Sequence, residues 1–114
     1  MTDIELELQD RIPILTLNPF AKYYPDSTQL KQILSDETIT FSGDIVIDLS
    51  NYLRVNADLL IHLTSIVKNF EKRVKRFGIV IPKDVMLEGL KVKLIDDLIE
   101  IYESKHDAVY NLLS

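Results

Sequence analysis

The sequence predicts a single α/β domain: a mixed sheet of four to five strands with helices, in the order β-β-α-β-α-β-α-β-α. Three observations carry that prediction. Residues 45–49 (I-V-I-D-L) form a short, mostly β-branched apolar run, the composition of an inner strand covered on both faces. Leu59, Leu63, Ile66, Val67, Phe70 and Val74 recur at three- and four-residue spacings, the buried stripe of a long helix. Beyond residue 26, single strands alternate with helices, which implies right-handed crossovers and mainly parallel pairing.

Each element has its own justification. Ile4, Leu6 and Leu8 alternate with Glu5 and Glu7, the period of two expected of a half-exposed strand. Residues 11–17 read as its hairpin partner, with Pro13 at an edge or bulge because proline removes a ladder donor. Residues 18–25 are irregular and aromatic. Asp26 with Gln29 resembles a capping box and opens a short helix to about Leu34. Asn56 is a good N-cap for the striped helix, which Gly78 is expected to stop. Residues 79–81 form another inner strand closed by Pro82, and residues 85–90 a short helix. Residues 98–102 are the last strand and residues 105–113 the last helix.

Composition narrows the class. At 114 residues, 46% hydrophobic and 27% charged, the chain suits one globular domain with its own core. It has no cysteine, so neither a disulfide nor a thiolate metal site can form. No run approaches the ~18 apolar residues of a membrane span. The start M-T-D-I-E-L-E-L lacks the basic-then-apolar pattern of a signal peptide, and a cytoplasmic location is expected. A net charge of −5 argues against general nucleic-acid binding, which needs a basic surface.

Catalytic and cofactor patterns are missing. The three glycines form no phosphate-cradling loop, and there is no Ser-His-acid arrangement. His62 and His106 lie 44 residues apart with no spaced partner ligand. Asp96, Asp97 and Glu100 read as a solvated loop, since adjacent aspartates point in different directions. The expectation is no enzyme, no metal and no cofactor.

Residues 44–58, D-I-V-I-D-L-S-N-Y-L-R-V-N-A-D, run from strand through turn into helix. This stretch resembles STAS domains, the sulfate-transporter and anti-sigma-factor-antagonist modules, whose pattern here is L-D-L-S-x-x-x-x-[IV]-D-S-[ST]-G. Asp48, Leu49 and Ser50 match its Asp-Leu-Ser ending. Asn56, Ala57, Asp58 and Leu59 stand at the positions of Asp, Ser, Ser/Thr and Gly. The tail, L-I-D-D-L-I-E-I-Y-E-S-K-H-D-A-V-Y-N-L-L, is similar to the family's ending, and the resemblance runs from Ile4 to Leu113.

The resemblance implies a STAS-like fold and a non-catalytic interaction module that presents the loop–helix edge at Asn56, Ala57, Asp58 and Leu59 to a protein. In the family that partner is often an anti-sigma factor or switch kinase. A soluble subunit docking on a membrane transport complex and a small-molecule or nucleotide binder are the alternatives it implies; self-association stays open. At the phospho-acceptor-equivalent position Asp58 replaces Ser/Thr, so control by phosphorylation there is lost. Its single charge, against about −1.5 to −2 for a phosphoserine, either mimics the modified state or only stabilises a first helical turn by roughly 0.3–1 kcal/mol.

Two other surfaces are candidates. Phe20, Tyr23 and Tyr24 in N-P-F-A-K-Y-Y-P-D are anchors for an interface, or else pack over one end of the sheet. Lys68, Lys72, Arg73, Lys75 and Arg76 form a basic run, either a docking patch or the ordinary gathering of cations at a helix end.

Overall fold

The computed structural model describes residues 4–18, 27–39, 43–83, 86–88 and 99–113. Among the described residues the elements follow in this order: β1 (Ile4–Gln9), β2 (Ile12–Leu17), α1 (Ser27–Ser35), β3 (Asp44–Asp48), β4 (Arg54–Asn56), α2 (Ala57–Lys68), β5 (Arg76–Val80), β6 (Met86–Glu88), β7 (Ile99–Tyr102) and α3 (Lys105–Leu113). The main sheet has the order β1-β2-β3-β5-β7. Only the β1–β2 pair is antiparallel; β2–β3, β3–β5 and β5–β7 are parallel. The expected mixed α/β architecture is therefore present, with the apolar run of β3 as the central strand.

The β1–β2 hairpin closes at Gln9↔Ile12 through Asp10 and Arg11, both in the left-handed region at φ 51° and 70°. That backbone gives a two-residue turn whose twist matches the strands. Pro13 opposes Leu8 on the β1 side, whereas pairing with β3 begins only at Ile14. Its missing N–H thus leaves the β2–β3 ladder intact.

Two cores flank the sheet. Leu15, Leu17, Ile45, Ile47 and Ile79 pack against α1 and α2 in the larger one, which includes Leu30, Leu34, Leu59, Leu63 and Ile66. On the opposite face Ile14, Val46 and Val80 meet Ala108, Val109 and Leu112 of α3. Burying each of these Leu, Ile or Val side chains contributes about 1.5–3 kcal/mol, so β3, buried on both faces, anchors the molecule.

Three expectations are corrected. The striped helix ends at Lys68, not near Gly78: Asn69 caps it through its N–H to the carbonyls of Ile66 and Val67. Tight turns then bring Phe70 N to Val67 O (2.9 Å) and Val74 N to Phe70 O (2.9 Å), so Phe70 and Val74 continue the apolar contact from non-helical backbone. Gly78 lies inside β5, where its missing side chain leaves room for the Tyr102 ring; a Cβ there would sit 2.9 Å from that ring. Finally, residues 86–88 of the expected third helix are strand β6, which pairs in parallel with β4 as a separate two-stranded sheet. The expected capping residue Asp26 lies outside the described residues.

Candidate functional site

The site is built where β3 hands the chain to α2. β3 ends at Asp48, a carboxylate only 1% exposed. Its Oδ1 accepts from Ser50 N at 2.9 Å and its Oδ2 lies 3.5 Å from the Thr16 hydroxyl. An aspartate buried that deeply is tolerable because backbone and hydroxyl donors meet it. Tyr52 N donates to Leu49 O at 3.0 Å, and the Asn51 amide donates to Asn18 Oδ1 at 2.6 Å. The Asp-Leu-Ser-Asn segment is thereby fixed as a tight turn.

From this turn the chain emerges at Leu53, 88% exposed, and enters β4. Pairing of Arg54–Asn56 with residues 86–88 holds the approach to α2 in extended geometry. Asn56, at φ −114° and ψ 171°, then caps the helix: its side chain accepts from Leu59 N at 2.8 Å. The N-cap expectation for Asn56 is met in detail. Asp58 is exposed in the first turn, beside the positive end of the helix dipole. Ala57 is half-buried, and Ile61, one turn along the same face, is 50% exposed. Leu59 points the other way; at 3% exposure it belongs to the core and leaves the presented edge to its neighbours.

Leu53 and Ile61 are the members that the sequence did not single out. Leu53 lies in a segment too short to show a period, and Ile61 reads as one more apolar residue of the helix. Phe20, Tyr23 and Tyr24 lie outside the described residues.

The basic run divides. Arg73 donates to Leu34 O and Ile39 O, each at 2.6 Å, tying the end of α1 and the loop after it to the turn after α2. Arg76 forms a two-pronged pair with Glu100, both bonds 3.0 Å, and the Tyr102 hydroxyl also donates to Glu100. Glu100 therefore belongs to an ion pair; Asp96 and Asp97 lie outside the described residues. Next to this pair, burial pushes the Asp44 carboxyl above its ordinary value, a rise that Arg76 opposes and Glu100 reinforces. Among the described residues no group of three His, Cys, Asp or Glu side chains could hold a metal ion, and no helix is long and apolar enough to cross a membrane.

The arrangement defines a STAS fold: a central parallel strand whose Asp48 and Leu49 are buried and whose Ser50 reaches the surface, feeding a capped helix on one face of a mixed sheet. A solved structure with that fold is "The Structure of an Anti-sigma-factor antagonist (STAS) domain protein from Planctomyces limnophilus". It superposes with a TM-score of 0.70 over 99% of this chain and 100% of that one, at 16% sequence identity. No protein-family model matches the sequence. No curated protein matches it either.

Proposed function

We propose that this chain is a non-catalytic interaction module resembling anti-sigma factor antagonists, which binds an anti-sigma-factor- or switch-kinase-like protein in the cytoplasm. Its docking edge is the segment from Leu53 through the first turns of α2. The observation that carries this reading is the 88% exposure of Leu53, at the entry to the short β4 strand that leads into a helix start whose exposed residues include Asp58 and Ile61. A large apolar side chain held out on the approach to a charged helix start gives a partner apolar area to bury. Asp58 replaces the hydroxyl a kinase would modify, so binding here is constitutive.

Docking on a membrane transport complex is the second reading, and the basic run is its support. Arg73 and Arg76 of that run are spent on internal bonds, which favours the α2 edge. The test is a complex reconstituted from this chain and its purified partner. The account expects 1:1 stoichiometry, no turnover, and at least about tenfold weaker binding by Leu53→Asp, equivalent to ~1.4 kcal/mol. Undiminished binding by both Leu53→Asp and Asp58→Ala contradicts it.

A further inference from the structure

β1 is the outermost strand of the main sheet among the described residues, paired on one side only. We propose that this edge accepts an extended basic segment of another protein, alternating Lys or Arg with aliphatic residues, as an added strand. Backbone and side chains both point to such an occupant. All six residues of β1 pair in unbroken register with β2, so the side turned away from β2, unpaired among the described residues, offers a row of outward N–H and C=O groups. No proline or bulge interrupts that row.

The side chains then select the partner. Ile4, Leu6 and Leu8 share one face by the two-residue alternation of a strand, and their exposure climbs from 5% to 40% to 64% toward the hairpin turn. Leu6 and Leu8 thus protrude from the larger core. Glu5 and Glu7 are exposed on the other face, where Glu7 holds Lys105 at 2.9 Å. That hydrogen bond raises the Lys105 pKa. A strand added here meets leucines on one face and glutamates on the other.

A second copy of β1 is the poorer occupant in the registers that overlap most of the strand. Antiparallel pairing centred on residue 6 sets Glu5 opposite the other copy's Glu7, and pairing centred on residue 7 sets Glu7 opposite itself. Shifting by one residue instead puts leucines against glutamates and reverses the faces. The acids that disfavour these registers also attract a cationic strand: Glu5 carries the pull, and Glu7 shares its charge with Lys105. This surface lies on β1, apart from the α2 edge, and stands or falls separately from that reading.

The test titrates the isotope-labelled chain with a synthetic peptide of about eight residues alternating lysine and valine. Its isomer, with the lysines and valines in two blocks, and a glutamate–valine alternating peptide are the comparisons. The alternating basic peptide is expected to bind about tenfold more tightly than either and to protect the amides of residues 4–9 from exchange. Glu5→Lys with Glu7→Lys is expected to transfer the preference to the glutamate–valine peptide, and Leu8→Asp, at a solvent-facing position, to weaken binding about tenfold. Equal affinity for the block isomer, shifts confined to other elements, an absence of binding, or dimerisation through β1 would each overturn the proposal.

Discussion

Single residues set the working geometry. Asn56 closes the α2 N-terminus with one accepted bond from Leu59 N, so Asn56→Ala should cost about 1 kcal/mol in urea unfolding. Gly78 is required by the Tyr102 ring. Gly78→Ala should cost roughly 1–3 kcal/mol by overpacking, and a smaller side chain at position 102 should recover part of that loss in the double variant. For Asp44, burial raises the folded-state pKa above the unfolded 3.8. Its favourable contribution is therefore complete below pH 3.8 and is lost as pH rises through the folded value. Asp44→Asn should accordingly raise the melting temperature at pH 7 and show no gain at pH 3. An equal gain at both pH values would contradict the burial argument.

At the scale of elements, the hairpin turn is the clearest local conflict. Asp10 and Arg11 both occupy left-handed backbone, which costs a non-glycine residue about 1–2 kcal/mol. Arg11→Gly should stabilise the chain by about 0.5–1 kcal/mol in thermal or urea melts, since glycine takes that backbone freely. Elements with strong periods were legible in the sequence: β3 from its β-branched run, α2 from its stripe and cap, α3 from residues 105–113. Others were not, for physical reasons. β4 and β6 are three residues each and exist only because they pair with one another, a contact no local pattern encodes. The stripe of α2 ran on through Phe70 and Val74 because burial continued after the helix had stopped.

The whole molecule turns on the central position of β3. Its burial on both faces fixes where the chain reaches the surface again, in the turn from Ser50 to Leu53, and so where α2 begins. The sequence made that course readable, along with Asn56 and Asp58. It could not reveal that Leu53 and Ile61 stand exposed, because exposure depends on what the far elements cover. Nor did it show that Arg73 and Arg76 of the basic run brace the fold. The TM-score of 0.70 at 16% identity to a solved STAS structure shows the same lesson: a fold persists where most residues differ. The most direct measurement places a photo-crosslinking residue at position 53 in living cells, with position 31 on exposed α1 as reference. One discrete protein adduct is expected from position 53, absent from position 31 and abolished by Asp58→Lys. Equal adducts from both positions, or an adduct from position 31 alone, would contradict it.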